Sequence, residues 1–136
     1  MPLLWFFRLV QAEQYFTSNM KLTDYQWVNI GYTAQSLRRG TLSGKLHRLL
    51  GAVQDKTTAI REQFEAEFKE SLEGAGNPEA LSDEWMEINI AVSDTFKLSS
   101  TELDVPTFQM EWFDEVKMGA SEYEFLSLLA HGNTKV

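Results

Sequence analysis

Between residues 42 and 72 the apolar positions fall at Leu46, Leu50, Val53, Ile60, Phe64, Phe68 and Leu72, with Thr57 at the one step the series skips. Steps of three and four residues put these side chains on one side of a helix. The other side holds Lys56, Arg61, Glu62, Glu65, Lys69, Glu70 and Glu73, a solvated face. Such a helix is about 46 Å long at 1.5 Å per residue. The rest of the chain has to arrange itself around it, because something must cover the stripe. Gly44 and Gly51 each cost about 1 kcal/mol relative to alanine inside a helix. They point to a close helix approach, or to a start that becomes regular only near Leu46.

Upstream, Thr23-Asp24-Tyr25-Gln26 fits a capping box. Trp27, Ile30, Ala34 and Leu37 follow at helical spacing, Val28 widens the stripe, and Arg38-Arg39-Gly40 is a helix exit. With Thr41 opening the long helix, the short connection makes the two antiparallel, a helical hairpin over 23–73. After Gly74-Ala75-Gly76-Asn77-Pro78 the period changes to two. Met86, Ile88, Ile90 and Val92 alternate with Trp85, Glu87, Asn89 and Ala91, which predicts a half-buried strand. Phe96 and Leu98 suggest a second strand. Phe108, Met110 and Trp112 suggest a third, set at an edge by Pro106. A second capping box, Ser121-Glu122-Tyr123-Glu124, opens a short helix over about 121–131, through Phe125, Leu126, Leu128 and Leu129 and closed by Gly132. The expected fold is therefore α+β. A helical hairpin with one long helix packs beside a small antiparallel sheet (strands within about 85–113) and a short C-terminal helix.

Residues 1–19 stand apart as an aromatic extension before a single domain at 20–136. The run LLWFFRLV at 3–10 is far short of the roughly 20 residues that span a bilayer. It has neither the basic start nor the unbroken apolar core of a secretory signal. Basic residues are too few for an interfacial membrane helix, so no membrane contact is expected. Two readings stand: a short amphipathic helix, or an upstream extension of a chain that begins naturally at Met20-Lys21-Leu22-Thr23. In the first, Leu4, Trp5, Phe7 and Leu9 pack on the body or on a partner.

Charge changes the picture more than size does. The net charge is −8 over 136 residues, but the first 50 residues carry six basic side chains against two acidic ones. Residues 79–136 carry twelve acidic against three basic. That half repels nucleic acid and suits a partner with a basic surface. Asp114, Glu115, Glu122 and Glu124, with Trp112, are the candidate protein-binding residues. Arg38, Arg39, Lys45 and Arg48 gather around the hairpin turn as a candidate basic patch for phosphates. Stabilising the negative end of the first helix is the preferred account of the first two, so nucleic acid is an unlikely partner. The stripe is longer than the first helix can cover. Ile60, Phe64 and Phe68, together with Leu4, Trp5, Phe7 and Leu9, are therefore the candidate interface of a homo-oligomer.

Chemistry is absent where motifs would announce it. The chain has no cysteine, which removes disulfides and thiolate metal sites and suits a cytoplasmic protein. His47 and His131 have no acidic residue at a ligand spacing. No nucleophile elbow, phosphate loop or dinucleotide fingerprint occurs. No catalytic, cofactor-binding or metal-binding residue is assigned, and the chain reads as a non-enzyme.

From Met20 onward the layout resembles short accessory proteins of tailed phages. The matching pieces are Met20-Lys21-Leu22-Thr23 opening a helix, the charged amphipathic stretch 57–72, the Glu87-Ile88-Asn89-Ile90 strand pattern, and the terminal segment 121–129 with its Leu and Phe pairs. Residues 1–19 and the Trp-rich stretch 108–112 depart from that plan. The resemblance implies a phage or mobile-element origin and no enzymatic activity, in a bacterial cytoplasm. The expected function is a non-enzymatic interaction module that inhibits or modulates a host defence or nucleic-acid-handling protein. The alternative is a self-assembling structural or assembly-accessory protein, and a nucleic-acid binder using the basic turn comes third.

Overall fold

The computed structural model describes residues 17–134. Strand β1, Thr17–Thr23, runs into helix α1, Asp24–Arg38, and a short turn leads to the long helix α2, Gly44–Gly74. Helix α3, Asp83–Lys97, comes next, then strand β2, Ser100–Pro106. A 3-10 helix at Met110–Phe113 and helix α4, Ala120–Thr134, complete the order. The fold is α+β, with four α-helices and one two-stranded antiparallel sheet among the described residues.

Thr23 caps α1 as the sequence predicts. Its hydroxyl accepts from the Gln26 N–H at 3.1 Å, and the Gln26 side chain accepts from the Thr23 N–H at 3.0 Å. The same corner is tied to the sheet. Trp27 donates its indole N–H to the Thr101 carbonyl at 2.8 Å, and the Thr101 hydroxyl donates to Asp24 at 2.6 Å. Trp27 is fully buried, together with Ile30, Leu50, Val53, Val105, Leu126 and Leu129. The core thus lies between α1, α2 and α4, with the sheet along one side. α2 is regular from Gly44, because the Ser43 hydroxyl caps it by accepting from the Leu46 N–H.

The expected strands at 85–92 and 96–98 fall on one helix instead, with Leu98 the residue just after its end. Residues 85–97 follow a Ser82 cap whose hydroxyl accepts from the Trp85 N–H, with Asp83 and Glu84 in the first turn. Read in threes and fours, Trp85, Ile88, Val92 and Phe96 form the inward face, while Met86 and Ile90 point outward. β-Branched residues favour strands only where a sheet offers them a surface. Here the nearest surface is α2: Trp85 meets Phe68 with ring centroids 5.2 Å apart, and Phe96 meets Phe64 at the same distance. The Glu87-Ile88-Asn89-Ile90 segment is accordingly helical.

The third expected strand is also corrected. Met110–Phe113 is a 3-10 helix, with Phe113 turned inward onto Phe108 at 5.2 Å. The sheet uses other residues. Thr17 pairs with Pro106 and Thr23 with Ser100, so the pairing runs across the expected boundary at Met20. The second capping box is not formed at Ser121, because the helix begins two residues earlier, after a glycine that has no side chain to complete a box. Gly119 is the residue before the helix, and Glu122 reaches back to accept its N–H at 2.9 Å. Gly132 lies inside α4 rather than ending it.

Candidate functional site

α1 covers the stripe of α2 as far as Ile60, and α3 covers the rest. Ile60 is buried, while Phe64 and Phe68 are half-buried beneath Phe96 and Trp85. These three candidate interface residues are engaged within the chain, so the argument from an uncovered stripe lapses for them. The other four, Leu4, Trp5, Phe7 and Leu9, lie outside the described residues.

The two candidate patches touch where Lys45 lies against Trp112. The α1–α2 turn and the segment before α4 enclose a cleft of about 430 Å³. Ser36, Leu37, Thr41 and Leu42 line it from the hairpin, and Glu115, Val116, Lys117 and Glu122 from the opposite side. Beside it, burial of Phe113 turns its neighbour Trp112 outward, leaving Trp112 38% exposed. The Lys45 ammonium sits 3.9 Å from the Trp112 ring centre. Asp114 and Glu115 are exposed, and Glu122 is half-buried with one oxygen held by Gly119. Glu124 is exposed on α4, outside the cleft lining.

The basic set divides. Arg39 and Arg48 are exposed at the turn and Lys45 is paired with Trp112. Arg38 turns away, along the seam between α1 and α2. It donates to Gln54 Oε1 at 2.8 Å, lies 3.4 Å from His47 Nδ1, and rests on Gly51, where an added Cβ would stand 3.1 Å from its guanidinium carbon. Farther along the seam Arg61 is half-buried, not part of the solvated face. It donates to the Gln54 carbonyl at 3.2 Å and lies 5.7 Å from the Tyr32 ring centre. The Tyr32 hydroxyl donates to Glu65 at 2.6 Å. Burial first, and then that bond to a carboxylate, push its pKa from 10.0 up to about 12. Sequence reading missed this polar seam. Its trace was a pair of glycines, Gly31 and Gly51, facing each other's helix across the hairpin.

Among the described residues no group of three or more His, Asp or Glu is placed to hold a metal, and no helix is long and apolar enough to cross a membrane. Comparison with known proteins finds no matching family model, no matching curated protein and no matching solved structure. The class that the geometry defines is a small α+β domain with a mixed-charge cleft beside a displayed tryptophan.

Proposed function

We propose that this protein is a non-enzymatic protein-interaction module whose contact surface is the end bearing Trp112 and the cleft. The observation that carries this reading is Trp112 itself. It is a large side chain held in place by Lys45 and by its buried neighbour Phe113, yet left partly open beside the Asp114 and Glu115 carboxylates. Aromatic anchors of this kind supply much of the binding energy at interfaces, and flanking charges set the rate and choice of partner. Glu115 and Glu122 outnumber Lys117 in the cleft lining, which supports a partner with a basic surface. In the phage setting that the resemblance implies, that partner is a host protein and the outcome is inhibition or modulation.

The test is retention of a host-lysate protein on the immobilised chain, compared with Trp112→Ala and with Asp114→Lys plus Glu115→Lys. Both variants should lose the partner while keeping the wild-type far-UV spectrum, and the charge reversal should slow association most at low salt. A partner retained equally by all three chains would remove this surface from the reading.

A second reading, self-association, rests on a different face. Met86 is 44% exposed and Ile90 58% exposed on successive turns of α3. A two-fold pairing of α3 helices would set the two residues against their own counterparts, the self-complementary geometry of a dimer.

A further inference from the structure

We propose that the polar seam between α1 and α2 is a binding site for a small phosphate-class oxyanion, held by Arg38 and Arg61. The site is independent of the Trp112 surface. Both guanidinium groups converge on one residue. Arg38 donates Nη1 to the Gln54 side-chain oxygen, and Arg61 donates Nη2 to the Gln54 carbonyl and, at 3.4 Å, to the Thr58 hydroxyl. Among the described residues neither has a carboxylate within ion-pair distance, although the chain carries 20 acidic residues. Glu65, whose carboxylate reaches this seam, has one oxygen engaged by the Tyr32 hydroxyl.

The burial is equally pointed. Among the described residues, Arg38 Nε and Arg61 Nε are the buried side-chain polar atoms that lack a hydrogen-bond partner. A buried donor left unpaired is uncommon and calls for an explanation such as a bound water or ion. Here two such donors belong to two cations flanking the same glutamine. The glycines complete the cradle. Gly51 admits the Arg38 guanidinium, and a Cβ at Gly31 would come within 2.7 Å of Arg61 Nε. The arginines can therefore lie close against the facing helix backbones within the seam.

Arginine forks bind oxyanions through paired, directional N–H donors. Two forks on either side of Gln54 suit an anion with oxygens on several sides, hence phosphate rather than a carboxylate. A polyanion is disfavoured, since Asp55, Glu62 and Glu65 stand on the same helix and the whole chain is at −8.

The experiment is a nuclear magnetic resonance titration of the full chain with inorganic phosphate, against sodium chloride at matched ionic strength and pH. The arginine Nε–H signals are the readout. Phosphate should move the Arg38 and Arg61 signals saturably, and chloride should not. Arg38→Lys with Arg61→Lys, which keeps both charges but removes both forks, should weaken the response by about tenfold or more. Equal responses to the two salts would overturn the proposal, as would a response confined to Arg39 and Arg48. Binding of a duplex oligonucleotide without any response to inorganic phosphate would also overturn it. The wild-type titration decides these outcomes even if the double variant does not fold.

Discussion

Gly31 and Gly51 look equivalent in the sequence, yet their neighbours make opposite demands. A Cβ at Gly31 would stand 2.4 Å from the Thr57 hydroxyl oxygen, and Thr57 is short and fully buried, so it cannot move aside. Gly31→Ala should cost about 1–2 kcal/mol, overpacking outweighing a helix-propensity gain of about 1 kcal/mol. At Gly51 the obstacle is the far end of a flexible arginine at 3.1 to 3.3 Å. Gly51→Ala should therefore stay within about 0.5 kcal/mol of wild type or exceed it. Denaturant melts of the two variants check the pair, and equal effects would contradict this account of the seam. Tyr32 offers a pH reading of the same contact. Its folded pKa of about 12 lies above the unfolded value of 10.0, so its contribution to stability is fully present below pH 10 and is lost as pH rises through 12. A phenolate absorbance titration should show one late tyrosine that disappears in Tyr32→Phe. In Glu65→Gln that tyrosine should move earlier, because the carboxylate that opposes ionisation is gone.

Helix α3 decides how the long helix is covered, and its stability rests on two unequal supports. The Ser82 cap contributes about 1 kcal/mol, so Ser82→Ala should be mild. Phe64 packs edge-on against both Phe68 and Phe96, and it joins α2 to α3. Being half-buried, it should cost about 2–3 kcal/mol on truncation to alanine, below the 3–5 of a fully buried phenylalanine. A loss under about 1 kcal/mol in a denaturant melt would mean that α3 does not seal that end of α2. The same helix shows what was legible in the sequence. The hairpin was, because the capping box at Thr23 and the stripe from Leu46 to Leu72 agree with each other. α3 was not, because Met86, Ile88, Ile90 and Val92 satisfy a period of two while Trp85, Ile88, Val92 and Phe96 satisfy a helix. The Ser82-Asp83-Glu84 start was the local signal that favours the second pattern. Both strands were illegible for a plainer reason. Thr17–Thr23 and Ser100–Pro106 are short and lie far apart in the chain, and only tertiary pairing makes them strands. Of the candidate sites, the charged residues were legible by composition. Their meeting at Trp112 and Lys45 was not, since it depends on how α4 folds back onto α1.

At the scale of the whole molecule, the question is whether one copy is enough. The sequence argued for an oligomer from a stripe half covered, and α3 supplies most of the missing cover. The apolar surface that remains on α3 is its outer face, where Met86 and Ile90 stand open, with Leu81 just ahead of the helix and Leu98 just after it. If that face pairs two copies, then Met86→Lys with Ile90→Lys should convert dimers to monomers. The melting temperature of the separated chain should barely change, because neither side chain supports the core. Light scattering at tens of micromolar reads the outcome, and a wild-type chain that runs as a monomer of 15.6 kDa would end the self-association reading. The contribution of the first residues needs a cut placed by the sheet rather than by the second methionine. A chain starting at Met20 loses the partners of Pro106, Val105 and Asp104, which is almost half of β1. Since a two-stranded sheet is marginal on its own, that chain should melt lower for reasons unrelated to association. A chain starting at Thr17 keeps every pair in the register. It should still dimerise if α3 carries the interface, and it should become monomeric if Leu4, Trp5, Phe7 and Leu9 do.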